Sequence, residues 1–371
     1  MPDENNSIGV AIAMSGGVDS SVAAYLLKKA GYNTVGITFK FFGENLLSQP
    51  GSINDKSLKK FLKAKQRSCC DVAAASLVAK KLNIEHRVVD LTEEFKKYVI
   101  EPFVNGYSRG ITPNPCIVCN ESIKWKNLIT IADELRLEKV ATGHFAKICD
   151  SSICRADDKK KDQAYFLYRI DKPEIERTLF PLGKLTKIQV REIASNAVIP
   201  TADRLESHEV CFYSKGSLRK FLEKNGVADK PGFLLDIEGN ILGNHSGWMQ
   251  FTIGQRHGHR VSSNRGRLYV VKTDPQKHEI VLGPREAVMK TKFSVSNAVF
   301  HTPWKIGETK ETIVQIRHFG DKIIGEVVRT ATDSAEVFLT KPVFAPTIGQ
   351  SAVFFVSDCI VGGGIIYKVL E

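Results

Sequence analysis

An uncharged apolar run, Ile8–Met14, passes directly into Ser15-Gly16-Gly17-Val18-Asp19-Ser20 and then into the helix-forming stretch Ser20–Ala30. A buried strand, a glycine-rich turn and a helix in immediate succession open a βαβ unit. This commits the first part of the chain to a parallel sheet with helices on its faces. The alternation continues with a strand at Thr34–Phe41, a helix at Val72–Leu82, and strands at His86–Leu91 and Lys139–Phe145. The polar, lysine-rich stretch Gly43–Ser68 reads as a loop or insertion. From about Pro231 the pattern becomes short alternating segments parted by Gly, Asn and Asp turns. They are Trp248–Ile253, Leu268–Lys272, Glu279–Leu282, Thr312–Ile316, Ile323–Val328 and Ser351–Val356. That part is expected to be β-rich and barrel-like. A length of 371 residues allows two to three domains, and the expected division is 1–205, 206–285 and 286–371.

The turn after the first strand has the chemistry of an anion site. Two glycines let backbone N–H groups close on a ligand, Ser15 and Ser20 add hydroxyls, and the helix start supplies partial positive charge. No Gly-Lys-Ser/Thr follows, so it is not a Walker A loop. The string Ser-Gly-Gly-x-Asp-Ser resembles the loop of the N-type ATP pyrophosphatases, which split ATP into AMP and pyrophosphate. That resemblance implies a Rossmann-like α/β domain and adenylation of a substrate oxygen. Ser15, Gly16, Gly17 and Ser20 would hold the pyrophosphate, and Asp19 would orient Mg²⁺ or the reacting phosphate.

There are eight cysteines. In Thr112-Pro113-Asn114-Pro115-Cys116-Ile117-Val118-Cys119-Asn120, two prolines stiffen an extended loop, and a helix is expected over Asn120–Leu135. Cys119 at its start would have a lowered thiol pKa. Cys211 follows the α/β region in Glu206-Ser207-His208-Glu209-Val210-Cys211-Phe212. A Cys-x-x-Cys beside an adenylating loop suggests sulfur chemistry. Cys116, Cys119 and Cys211 could alternatively hold three irons of a [4Fe–4S] cluster. Cys149, Cys154 and Cys359, with Cys69 and Cys70, are expected to be small buried hydrophobes.

Lys and Arg number 52 against 41 Asp and Glu, a net +11 that suits a polyanionic partner such as RNA. An average apolar and charged content excludes disordered and fibrous classes. No uncharged apolar run reaches about 18 residues, so no membrane-spanning helix is expected. The polar N-terminus resembles neither a secretory nor a transit peptide, so a cytoplasmic protein is expected.

Taken together, the segments AMSGGVDSSVAAYLL, TPNPCIVCNESIKW, ATGHFA, KDQAYFLY, LFPLGKLTK followed by VR, ESHEVCF, FTIGQRHG and GQSAVFF with CIVGGGII resemble the bacterial tRNA-specific 2-thiouridylases nearly end to end. The resemblance implies thiolation of the wobble uridine in the tRNAs reading lysine, glutamate and glutamine codons. ATP adenylates the uracil O2, a persulfide on Cys211 attacks C2, and AMP departs. Cys119 then releases the thiolated base, leaving a Cys119–Cys211 disulfide. ATP would touch Ala13, Met14, Ser15, Gly16, Gly17, Val18, Asp19, Ser20, Phe39 and Gly143. The tRNA would touch Asn114, Pro115 and Cys116 near the base, then His144, Lys161, Asp162, Gln163, Arg317, His318 and Gln350. An upstream sulfur carrier or cysteine desulfurase would supply the sulfur, and the enzyme is expected to be a monomer. The implied architecture is an ATP pyrophosphatase domain, a small central domain and a C-terminal β-barrel.

The chain departs from the family's usual pattern at Ala164 (a serine), at His318 (a tyrosine), in a shorter His257–Arg267 and in Gly43–Ser68. His245, His257 and His259 read as surface or RNA-facing residues. Two other functions compete. Another adenylating ligase or amidotransferase would explain the Ser15–Ser20 loop but leave Cys119 and Cys211 idle. A non-catalytic RNA-binding protein with a degenerate ATP site would explain the charge but not the intact loop.

Overall fold

The uncharged run near the N-terminus becomes the central strand of a five-stranded parallel sheet in the computed structural model, which describes residues 8–42, 70–205, 210–213, 217–261 and 266–370. The expected insertion Gly43–Ser68 and Cys69 lie outside the described residues. Strand β1 (Gly9–Ala13) pairs with β2 (Asn33–Lys40) on one side and β4 (Lys139–Ala141) on the other. Strand β3 (Glu85–Asp90) extends the sheet beyond β2, and β7 (Thr178–Leu179) beyond β4. Between β4 and β7 the chain makes an antiparallel hairpin of β5 (Ala146–Cys149) and β6 (Ser152–Arg155).

The sheet order is β3-β2-β1-β4-β7, so the chain moves one way from β1 and returns on its other side. The crevice beyond the carboxyl ends of β1 and β4 is therefore a topological switch point, where open α/β sheets bind ligands. Helices α1 (Val18–Lys29), α2 (Val72–Leu82) and α5 (Lys187–Asn196) supply Val22, Ala23, Val78, Val190 and Ala194 to one core with Val10 and Ile12 of β1. Between α2 and α5 lie α3 (Thr92–Phe95) and α4 (Lys126–Glu134). Asp71 caps α2 by accepting a hydrogen bond from the Ala74 N–H at 3.1 Å, and Thr186 with Gln189 forms a capping box on α5.

Three local expectations are corrected. The helix expected from Asn120 begins at Pro115: an α turn, Pro115–Val118, runs into a π-helical stretch, Cys119–Trp125, and then into α4. Proline's fixed φ and missing N–H suit a first helical position, so Pro115 starts the helix instead of stiffening a loop. Strand β4 stops at Ala141, short of the expected Phe145. The strand expected at Trp248–Ile253 is a 3₁₀ turn, Trp248–Gln250. Asp229 accepts the Met249 N–H at 3.3 Å there, bending the chain away from sheet pairing.

The chain divides into two compact units, Met1–Val99 with Cys116–Phe212, and Ile100–Pro115 with Tyr213–Glu371. The second unit contains two sheets. Strands β8 (Gly232–Leu235), β9 (Ile241–His245), β10 (Tyr269–Asp274) and β11 (Glu279–Gly283) are ordered β10-β11-β8-β9. Strands β12 (Met289–Phe300), β13 (Thr309–Gln315), β14 (Lys322–Ala331), β15 (Ser334–Phe344), β16 (Ser351–Val356) and β17 (Cys359–Leu370) run antiparallel in the order β12-β15-β14-β13-β16-β17. Pairing of β12 with β17 closes them into a barrel. Phe293, Val295, Val314, Val337, Phe354 and Ile366 fill its interior. His245, expected at the surface, is buried with its ring between the Gly247 N–H and the His278 carbonyl. Cys149, expected to be buried, ends β5 at the surface, whereas Cys154 is buried.

Candidate active site

The loop between β1 and α1 is internally cross-braced. The Ser15 N–H donates to Ser20 Oγ at 3.1 Å, and Ser20 Oγ donates to the Gly17 carbonyl at 3.1 Å. The two serine hydroxyls lie 3.1 Å apart. Gly17 is the N-cap of α1, so the helix opens on backbone N–H groups with no cap side chain in front of them. Gly16 sits at φ 74°, the left-handed region that glycine enters without penalty. Backbone donors at a helix start, a glycine turn and two hydroxyls together form a cradle with the chemistry of an anion site.

Three residues that sequence reasoning did not single out hold this cradle. Asp71 donates its backbone N–H to the Ser15 carbonyl at 2.9 Å. Its carboxylate pairs with Arg204, whose guanidinium also donates to the Gly16 carbonyl at 2.9 Å. Arg204 is only 3% exposed, so this ion pair works in a low-dielectric setting beneath the loop. On the other side, Lys187 Nζ lies 2.5 Å from Asp19 Oδ1 and 5.8 Å from the centre of the Phe145 ring. Arg204 is 133 residues from Asp71, and Lys187 is 168 residues from Asp19. No local pattern could have paired them, although Lys187 belongs to the quoted LTK segment.

Gly143 follows β4 and meets the loop directly. A Cβ built there would lie 2.6 Å from the Ser20 N and 2.8 Å from the Asp19 carbonyl carbon. Glycine is therefore required for β4 to pack against the start of α1. His144 Nδ1 and Thr142 Oγ1 are 2.9 Å apart, and its ring is 5.6 Å from that of Trp125. Burial, helped by the nearby Lys124 charge, pushes the His144 pKa down to about 3, so the imidazole is neutral at working pH. Gln163 clamps Phe145 at both backbone groups, accepting its N–H at 3.0 Å and donating its own N–H to its carbonyl at 2.8 Å.

Asp162, expected to contact RNA, is buried and holds its own chain. It accepts the N–H groups of Ala156 at 3.0 Å and Ala164 at 3.3 Å, and pairs with buried Arg155 at 3.3 Å. The neighbouring Lys161 is half-buried. Asp158 in the same charged run accepts the Lys187 N–H at 2.9 Å, so this stretch is built into the start of α5.

The earlier helix start changes the positions of the thiols. Exposed Cys116 lies in the first turn, whereas Cys119 opens the π-helical stretch one turn later and is 5% exposed. Cys119 is therefore not at the helix start where it was expected; Cys116 is the thiol in that first turn. The π-helical stretch packs against α3. Phe95 of α3 stacks on Phe41 at 4.5 Å and meets Phe212 edge-on at 6.0 Å. Phe39 continues the aromatic row, 6.3 Å from Phe41. Helix α3 therefore contacts both the segment carrying Cys119 and the residue next to Cys211. Among the described residues, the sulfurs of Cys116, Cys119 and Cys211 are not all within 4.8 Å of one another, so no single-ion site is preformed there.

In the second unit, Asn114 and Pro115 follow a segment tied to the barrel. The Thr112 N–H donates to the Ile348 carbonyl at 3.1 Å, and Gln350 Nε2 donates to the Thr112 carbonyl at 2.7 Å. Thr112, Gln350, Thr347, Arg317 and Thr252–Gln255 line an open cleft of about 390 Å³. The Arg317 guanidinium donates to the Ala345 carbonyl at 2.7 Å. Of the residues expected to contact RNA, Arg317 and Gln350 thus come together, with His318 next to Arg317.

Residues 8–215 match the tRNA methyl transferase HUP domain, 219–284 the tRNA methyl transferase PRC-barrel domain, and 290–366 the aminomethyltransferase β-barrel domain. A tRNA-specific 2-thiouridylase of Caldanaerobacter subterraneus subsp. tengcongensis is 38% identical over 369 residues, covering 97% of this chain and 98% of the relative. One from Clostridium botulinum is 36% identical over the same length and shares. The chain belongs to the tRNA-specific 2-thiouridylase family. The relatives are matched end to end, so this assignment takes in both units. Among the described residues, no helix is long and apolar enough to cross a membrane.

For this member of the thiouridylase family, two outcomes follow from the packing around β4. Gly143→Ala drives a methyl group into the backbone of Asp19 and Ser20, and ATP affinity should fall roughly tenfold, as overpacking by about 1–3 kcal/mol requires. Calorimetric titration with ATP checks this, with circular dichroism confirming the fold. The depressed His144 pKa favours the folded state above the unfolded value of 6.5, and that contribution is lost as pH falls towards 3. Between pH 7 and pH 5 the native protein should lose about 2 kcal/mol more stability than His144→Gln, measured by urea unfolding at both pH values.

Proposed function

We propose that this chain is an ATP-dependent tRNA 2-thiouridylase that uses Cys211 as persulfide carrier and Cys119 as releasing nucleophile. The observation that carries the reading is a cross-braced pyrophosphate cradle at the switch point of the sheet, in a domain that also bears both thiols. Its substrates are the tRNAs reading lysine, glutamate and glutamine codons, and sulfur comes from an upstream carrier or cysteine desulfurase.

The chemistry needs each part. Uracil C2 carries an amide-like carbonyl, a poor electrophile with a poor leaving group. Attack of O2 on the α-phosphorus of ATP expels pyrophosphate into the cradle of Ser15, Gly16, Gly17 and Ser20 and converts O2 into part of an AMP leaving group. Asp19 would be the residue to hold Mg²⁺, which would offset the negative charge of the phosphates, and Lys187, paired with Asp19, supplies a fixed cation on that side of the loop. The terminal sulfur of the Cys211 persulfide attacks C2, and AMP departs with the C2–O2 bond. The Cys119 thiolate then attacks Cys211 Sγ. The sulfur–sulfur bond breaks, sulfur stays on C2 as the thiocarbonyl, and a Cys119–Cys211 disulfide forms for an external thiol to reduce. Shared packing on α3 supports the pairing of these two cysteines. Neutral His144 suits a hydrogen-bonding role beside the base better than a charged one.

Incubation with unmodified tRNA, ATP, Mg²⁺ and a persulfide donor should produce tRNA retarded on a mercury-containing gel, with no product when ATP is omitted. Cys119→Ala and Cys211→Ala should each abolish thiolation while ATP-dependent pyrophosphate release with tRNA continues. Thiolation by either variant overturns the assigned roles. Cys116→Ala should remain active; loss of activity together with loss of bound iron would instead favour the cluster route. Lys187→Met should raise the KM for ATP roughly tenfold with a smaller effect on tRNA affinity, as loss of one charge-assisted phosphate contact predicts.

A further inference from the structure

Thr38 on β2, His86 on β3 and Ser76 on α2 lie outside the segments that carry the family resemblance, yet they meet where β1 gives way to its loop. Thr38 is fully buried, and its hydroxyl donates to the Met14 carbonyl at 2.7 Å. His86 Nε2 lies 2.8 Å from that hydroxyl, and Ser76 Oγ lies 3.1 Å from His86 Nδ1. Strand register sets His86 beside Gly36, two residues before Thr38 on the same face of β2. A Cβ on Gly36 would lie 2.6 Å from the Met14 sulfur and 3.4 Å from His86 Cδ2. Glycine thus leaves the space through which the imidazole reaches along the strand.

The donors all point one way. A hydroxyl has one proton, and that of Thr38 is committed to the Met14 carbonyl. His86 therefore donates from Nε2, which leaves Nδ1 to accept the Ser76 hydroxyl. Burial lowers the His86 pKa, so the ring is in the neutral form this pattern requires. The Met14 carbonyl shares its peptide plane with the Ser15 N–H. That N–H donates to Ser20 Oγ at 3.1 Å, and the Ser20 hydroxyl donates onward to the Gly17 carbonyl at 3.1 Å. Ser76, His86, Thr38, the Met14–Ser15 peptide and Ser20 form one relay with a single direction. Each hydrogen bond in such a relay polarises the next, so Ser20 becomes a stronger donor.

We infer that His86 is a positioning residue for ATP: with Thr38 it fixes the Met14–Ser15 peptide and so aims the Ser20 hydroxyl at a phosphate oxygen of the bound nucleotide. On binding, the Ser20 proton turns from the Gly17 carbonyl to the phosphate, while the Ser15 N–H keeps the hydroxyl oxygen in place. His86 itself touches no substrate. This role rests on the Ser15–Ser20 loop being the ATP site, and it concerns nucleotide binding, not the sulfur step.

The test titrates the full-length protein with ATP and Mg²⁺ by calorimetry, follows tRNA affinity by fluorescence anisotropy and checks the fold by urea unfolding. Thr38→Val keeps the side chain's shape and removes the donor, and ATP affinity should fall roughly tenfold, as loss of one buried hydrogen bond predicts. His86→Leu should weaken ATP binding roughly fivefold. His86→Gln, whose amide still donates to Thr38, should stay within about twofold of the native protein. A variant carrying both Thr38→Val and His86→Leu should bind ATP no more weakly than Thr38→Val alone, because the relay is already cut. Affinity for tRNA should hold at the native value throughout. Native ATP affinity in Thr38→Val, additive losses in the double variant, a His86→Gln variant as weak as His86→Leu, or a parallel loss of tRNA affinity overturns the role. Should the variants behave as expected while no ATP-dependent thiolation occurs, only the reaction assignment falls. Should thiolation proceed while every variant binds ATP as the native protein does, only the positioning role falls.

Discussion

The backbone contact between Gly143 and the start of α1 is the constraint on which the site depends. Strand β4 can lie beside β1 only if the turn after it approaches the Asp19–Ser20 peptide more closely than any side chain permits. Once that approach is made, the two strand ends at the switch point share one surface, and the helix start faces the crevice instead of the core. Everything else around the loop keeps it in that position.

The bracing is electrostatic as well as steric. Buried Arg204 fixes the Gly16 carbonyl and the Asp71 carboxylate at once, while Asp71 caps α2 and holds the Ser15 carbonyl. Loop, helix cap and the stretch leading towards Cys211 thus share one buried ion pair. Removing a single partner would leave an uncompensated charge beneath the loop between β1 and α1, which is far more costly than losing a surface pair. Lys187 closes the opposite side through Asp19.

The thiols are organised by apolar contacts. Phe95 links the aromatic row of β2 to Phe212, and the helix that carries it packs on the π-helical stretch beginning at Cys119. Widening of a helix to π geometry is frequent at functional positions, because it turns one side chain out of the regular spacing. The second unit contributes rigid presentation of another kind. A buried glutamine fixes the Arg317 and His318 carbonyls of a barrel turn, the Arg317 guanidinium folds back onto the Ala345 carbonyl, and Phe319 stays exposed at the tip.

Sequence alone determined the parallel α/β class, the glycine-rich turn between the first strand and the first helix, the change to β structure after residue 231 and the family, because these depend on local periodicity and contiguous motifs. It misplaced the helix before Cys119, since Pro115 can stiffen a loop or begin a helix and only neighbouring contacts choose between them. Nor did it reveal that the Asp162 carboxylate is held by Arg155 and two backbone N–H groups. Asp71, Lys187 and Arg204 were illegible because their partners lie more than a hundred residues away. Tertiary structure decided these matters for one physical reason: a charge or a ring acquires its role from what is packed against it, and chain order does not record that.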